Sequence, residues 1–179
     1  MTDYFEIFGI PRSLNLSTDM LQQRFYELSR ELHPDRLMRK PEAERQQALD
    51  KSSELNDAYR TLKDPLKRVY YVLSREGFDV AEQRSKDVPP ELLEEVFELN
   101  MALEEMRGGD DSVRPQLEAA QKNFTGMLAG VDRQLEGLFA KYDQSPSRDT
   151  LSEIRGVLNR RKYIQNLVDE VQKSLVPSP

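Results

Sequence analysis

A chain of 179 residues has room for one ordinary domain or two small ones, and 37% hydrophobic with 32% charged residues suits helices with one wet face better than a large β core. The net charge of −6 argues against nucleic acid as the main partner, because phosphate binding wants a basic face. The lack of cysteine excludes disulfides, metal–thiolate sites and thiol redox chemistry, and a single histidine leaves little for catalysis or metal binding, so no metal and no cofactor are expected.

The N-terminus, Met1-Thr2-Asp3-Tyr4, carries no basic segment followed by an apolar core, and no apolar run is long enough to cross a bilayer. A cytoplasmic protein away from the membrane is expected. Tyr4 to Phe8 reads as a short helix closed by Gly9, with Tyr4, Phe5 and Phe8 as core anchors. Ser17 is an N-cap candidate for the next helix, with Asp19 in its first turn. Leu21, Phe25, Leu28 and Leu32 recur at helical spacing and make its inner face, while Gln23, Arg24, Tyr26, Glu27 and Arg30 lie opposite.

Pro34 cannot continue that helix, so His33-Pro34-Asp35 is expected on a tight polar turn with Arg30, Arg36, Arg39 and Lys40 close by. A further helix runs from about Pro41 to Lys63, with Ala48, Ser52, Leu55, Tyr59 and Leu62 as its seam, and pairs antiparallel with the one before. Asp64-Pro65 restarts the chain as a helix that ends at Gly77, with Leu66, Val69, Tyr70 and Leu73 on its apolar face. This organisation predicts a first domain over 1–76, a linker over 77–90 containing Pro89-Pro90, and a second domain over 91–179.

Three helical runs fill the second domain: Glu91 to Met106, about Val113 to Tyr142, and about Ser147 to Leu175. Gly108-Gly109 and Ser145-Pro146 separate them, which predicts an antiparallel three-helix bundle. Leu117, Phe124, Leu128, Val131, Leu135, Leu138 and Tyr142 form one stripe; Ile154, Val157, Ile164, Val168, Val171 and Leu175 form another. The first run has more apolar residues than one face uses. Leu92, Val96, Leu99, Leu103 and Met106 complete an inward stripe, and Leu93, Phe97 and Met101 make a second, bordered by Glu94, Glu98, Glu104 and Glu105. The second stripe either packs on a neighbouring helix or forms an acid-rimmed patch for a partner.

His33 and Asp35 alone do not make a catalytic pair, since no nucleophile or metal set accompanies them, and the chain is not expected to be an enzyme. His33-Pro34-Asp35 between two helices, with Asp3-Tyr4-Phe5-Glu6-Ile7-Phe8-Gly9 upstream and Leu55 to Pro65 downstream, resembles a J domain. J domains stimulate the ATPase of heat-shock chaperones of the DnaK type. With the following bundle, the whole chain resembles the HscB family, the J-type co-chaperones of iron–sulfur cluster biogenesis.

The resemblance implies an all-α fold, in which an N-terminal J domain (a helical hairpin with two shorter helices) joins a C-terminal antiparallel three-helix bundle. It implies two partners, a DnaK/HscA-type ATPase chaperone and an iron–sulfur scaffold protein of the IscU type. Chaperone binding is assigned by it to His33, Pro34, Asp35, Arg24, Arg30 and Arg36, and scaffold binding to Leu93, Phe97, Glu98, Met101, Glu105 and Tyr163. Met101 stands where relatives usually carry an acid. Bundle stripes by themselves do not name a client, so a J-domain co-chaperone with a different client is the alternative reading.

Overall fold

The computed structural model describes residues 2–80 and 88–176. All regular structure among these residues is helical, and the chain divides into two compact units, Met1–Val80 with Tyr142–Ser145, and Ala81–Lys141 with Pro146–Pro179.

The first unit is built from α1 (Tyr4–Phe8), α2 (Thr18–Glu31), α3 (Pro34–Leu37), α4 (Glu42–Leu62) and α5 (Pro65–Arg75). Asp3 caps α1 by accepting the Phe5 N–H at 2.8 Å, and Gly9 closes it at φ 65°, a left-handed conformation that glycine takes without steric cost. The Ser17 hydroxyl accepts the Met20 N–H to start α2, and the Asp64 carboxylate accepts from Leu66 and Lys67 to start α5. α1, α2 and α5 all pack on α4, which supplies Leu55, Ala58 and Leu62 to the core. Phe5, Phe8, Leu14, Leu21, Val69, Val72 and Leu73 fill the rest.

The inner face of α2 is only partly enclosed. Leu21 is buried, whereas Phe25, Leu28 and Leu32 are half-buried. Phe25 stacks on Tyr59 of α4 with ring centroids 4.2 Å apart, so the hairpin closes on an aromatic contact.

Arg68 is buried, 3% exposed, on the apolar face of α5. Its guanidinium donates to the Leu14 carbonyl from Nε (3.1 Å) and Nη2 (2.8 Å), and to the Leu62 carbonyl from Nη1 (2.7 Å). Leu62 ends α4, where carbonyls have no partner within the helix, so Arg68 both caps α4 and pins the 10–16 segment. Burial pushes this guanidinium below its ordinary pKa, although it remains charged.

In the second unit a 3₁₀ turn (Pro90–Leu92) leads into α6 (Leu93–Arg107), and another (Asp111–Val113) leads into α7 (Arg114–Gln144), which is followed by α8 (Arg148–Leu175). The helices start and stop close to the boundaries read from sequence, and the Ser147 hydroxyl caps α8 by accepting the Thr150 N–H at 3.1 Å. α7 and α8 run antiparallel, their register marked by Lys141–Glu153 (3.6 Å), Asp132–Arg161 (2.7 Å) and a Gln121–Gln172 hydrogen bond. Arg107–Glu170 and Glu91–Arg160 link α6 to α8.

The expected stripe of α7 is buried except for half-buried Leu128. That of α8 needs correction. Leu151, Leu158 and Leu167 join Ile154, Ile164 and Val171 in the core, while Val157, Val168 and Leu175 are half-buried at its margin. A helix turns 100° per residue, so adjacent apolar residues compete for one face and the larger leucines won it.

Replacing Arg68 with Met would leave the Leu14 and Leu62 carbonyls without their donors. We expect a loss of about 2–4 kcal/mol in the first unit, from the cost of two unsatisfied buried groups. Urea unfolding followed by circular dichroism measures it.

Candidate functional site

Two surfaces carry the side chains singled out from sequence, one on each unit. On the first, His33 ends the α2 connection and begins α3. Its N–H donates to the Arg30 carbonyl, and its Nδ1 accepts the Asp35 N–H at 3.2 Å, so the imidazole itself caps the one-turn helix. Pro34 occupies the first helical position, where its missing N–H costs nothing. The expected open turn is therefore a helix start. Asp35 contributes its backbone N–H to the cap and leaves its carboxylate outside, 3.6 Å from His33 Nδ1. Both side chains face solvent, at 58% exposure for His33 and 82% for Asp35.

Arg30 and Arg36 are exposed on either side of this turn. Arg24 is placed differently. Its Nε donates to the Phe8 carbonyl at 3.1 Å and its Nη1 pairs with Glu27 at 3.2 Å, so this guanidinium ties α2 to the end of α1 as well as facing outward. Beside the turn lies a groove of about 370 Å³, walled by Leu32, Pro34, Leu37, Met38, Ala48 and Leu49. Met38 and Leu49 at its edge are exposed apolar side chains. Sequence reasoning did not mark them, since neither lies on a core stripe; their signal was being apolar off the stripe.

On the second unit, the 3₁₀ turn buries Leu92 and α6 buries Val96, Leu99, Ala102 and Leu103, while Met106 of the expected inward stripe is only half-buried. Leu93, Phe97 and Met101 point out, 56%, 66% and 52% exposed, and they follow one another at the four-residue spacing that makes a single row. The choice that sequence left between a second core face and an open patch is decided for the patch. Glu94, Glu98 and Glu105 are exposed on the flank of this row.

Tyr163 of α8 is half-buried, and burial, with the Glu170 carboxylate behind it, holds its phenol above the ordinary pKa. It therefore presents a neutral hydroxyl at physiological pH. Among the described residues no cluster of histidine and carboxylates has metal-binding geometry, and no helix is long and apolar enough to cross a membrane.

Two family models match the chain: the DnaJ domain over residues 3–71 and the HSCB C-terminal oligomerisation domain over residues 88–172. The chain is 31% identical over 170 residues to a co-chaperone protein HscB homolog of Vibrio cholerae serotype O1, covering 94% of this chain and 98% of that relative. To an HscB homolog of Vibrio vulnificus it is 30% identical over 173 residues, 95% of each chain. Among solved structures it is similar to chaperone HscB from Vibrio cholerae, with a TM-score of 0.62 and 31% identity over 96% of both chains. The crystal structure of human co-chaperone protein HscB gives a TM-score of 0.68 at 26% identity, over 99% of this chain and 84% of that one.

Because Leu93 and Phe97 face water, the double substitution Leu93→Ala/Phe97→Ala is expected to change stability by no more than about 0.5 kcal/mol, the ordinary range for surface positions. Leu99→Ala on the buried face should cost about 2–5 kcal/mol. Thermal melts of the two variants distinguish an open stripe from a second core face.

Proposed function

Because this chain belongs to the HscB family of J-type co-chaperones, we propose that it stimulates the ATPase of a DnaK/HscA-type chaperone and delivers to it an iron–sulfur cluster scaffold protein of the IscU type. The first domain, 1–76, docks on the chaperone; the bundle, 91–179, holds the scaffold; residues 77–90 connect them. The observation that carries this reading is that one chain has an exposed His33–Asp35 turn on one unit and an exposed Leu93–Phe97–Met101 row on the other.

At the turn, the outward Asp35 carboxylate accepts charge-assisted hydrogen bonds from the chaperone, and Pro34 and the His33 cap keep it from collapsing onto its own backbone. Arg30 and Arg36 add positive charge that steers an acidic surface toward it, and Arg24 contributes with the part of its guanidinium that Phe8 and Glu27 leave open. Stimulation of hydrolysis then follows from tighter binding to the hydrolysis-competent state of the chaperone than to its resting state.

On the bundle, Phe97 is the central anchor, Leu93 and Met101 flank it, and Glu98 and Glu105 meet basic groups of the scaffold. Tyr163 adds an aromatic surface with a neutral hydroxyl. Linking both contacts in one chain raises the effective concentration of the scaffold at the chaperone.

His33→Gln is expected to abolish stimulation of the chaperone ATPase while leaving scaffold affinity within about twofold, since the two contacts use different units. Loss of both in a folded variant would refute the division of labour. Phe97→Ala should weaken scaffold binding, measured by calorimetry, by about 1–3 kcal/mol, the range for a central aromatic anchor. An unchanged affinity would put the scaffold elsewhere.

A further inference from the structure

An oxidant finds few targets on this chain. There is no cysteine and no tryptophan, so the methionine thioether is the side chain that a peroxide meets first. Among the described residues, Met20, Met38 and Met101 are exposed, whereas Met106 and Met127 are half-buried. Met20 and Met38 belong to the first unit. Met101 stands on α6, four residues on from Phe97, at one end of the apolar row.

A side chain on a helix surface meets those three and four residues away. For Met101 these are Phe97, Glu98, Glu104 and Glu105, all exposed. A thioether suits that setting, because it is apolar and polarizable and extends the contact area of Phe97. A sulfoxide does not. Its oxygen is a hydrogen-bond acceptor, and the polar neighbours are carboxylates, which when ionised also only accept. With no donor among these neighbours, a sulfoxide covered by a partner gives up its water and gains nothing from its own surface.

We propose that Met101 is an oxidation site through which peroxide controls binding of the scaffold protein. A lone pair of the sulfur attacks one oxygen of hydrogen peroxide; the S–O bond forms, the O–O bond breaks, and after proton transfer the second oxygen leaves as water. The sulfur loses two electrons and the peroxide takes up the same two. Methionine sulfoxide reductases, which draw their electrons from thiols, reverse the step, so the row gains or loses a polar end while the fold stays as it is. The inference rests on the reading that the Leu93–Phe97–Met101 row holds the scaffold, and it adds a means of regulating that contact.

The test treats the full chain with hydrogen peroxide, removes the peroxide, locates the added oxygen by peptide mass spectrometry, and titrates the product calorimetrically with purified IscU-type scaffold protein. Treated wild type is expected to bind about tenfold more weakly than untreated, a loss of the size that one apolar side chain contributes. Incubation with methionine sulfoxide reductases for both sulfoxide epimers should restore the affinity. Met101→Leu, compared with its own untreated form, should lose nothing on treatment. Met20→Leu/Met38→Leu should lose as much as wild type, since both positions lie on the other unit.

Full affinity in a chain whose Met101 carries the added oxygen overturns the proposal, as does a Met101 left unoxidised while Met20 and Met38 react. A tenfold loss on treating Met101→Leu assigns the effect to another residue and overturns it too, and so does a loss that the reductases do not reverse. Untreated Phe97→Ala separates the two levels of the argument: wild-type affinity there overturns the row itself, whereas weakened binding there with no response to peroxide in wild type overturns the oxidation site alone.

Discussion

Pro34 has no N–H to donate and its ring crowds the residue before it, so α2 must end ahead of it and the chain must begin again. Beginning again leaves backbone donors without partners, and the nearest acceptor is the imidazole of His33. That nitrogen takes the Asp35 N–H, which fixes the ring, starts the turn of α3, and directs the Asp35 carboxylate outward. The surface proposed to meet the chaperone therefore does not rely on a flexible loop. Its geometry follows from one proline and one cap, and it is displayed because the turn stands at the open end of the α2/α4 pair.

The rest of the first unit holds that pair in place. Gly9 lets α1 turn back, Arg24 fastens α2 to the Phe8 carbonyl, and Arg68 takes the Leu14 and Leu62 carbonyls at once. The last of these has unusual weight. A guanidinium offers five donors in a rigid fork, so one side chain caps a helix and secures a loop where a lysine has only a point charge. Placing that cation in the core costs solvation, and the carbonyls it meets are groups that would themselves be stranded without it.

In the bundle the same logic of surplus applies to apolar surface. α6 is short and touches its neighbours along one side, so a second row of Leu93, Phe97 and Met101 has nothing to pack against within the unit. Large exposed side chains at four-residue spacing, with glutamates along one edge, make a surface suited to a partner with apolar and basic groups. The row lies on exposed residues that leave the core of the bundle intact when changed, which lets partner choice vary without loss of the fold.

Helix boundaries were legible in the sequence because local chemistry sets them: Ser17, Asp64 and Ser147 cap, Gly9 terminates, and prolines forbid continuation. The apolar rows of α4 and α7 were legible for a related reason, since periodicity names a face. Periodicity does not say whether a face has a neighbour. Only the packed structure decided that Phe97 is open while Leu99 is buried, that Leu158 and Leu167 displace Val157 and Val168 toward the margin of α8, and that Arg68 belongs inside. Nor does sequence spacing say that His33 accepts while Asp35 donates its N–H. These outcomes depend on contacts between residues far apart in the chain or on backbone angles at a single turn. A pattern of residue types carries the preferences of each segment, and the meeting of segments settles which preference prevails.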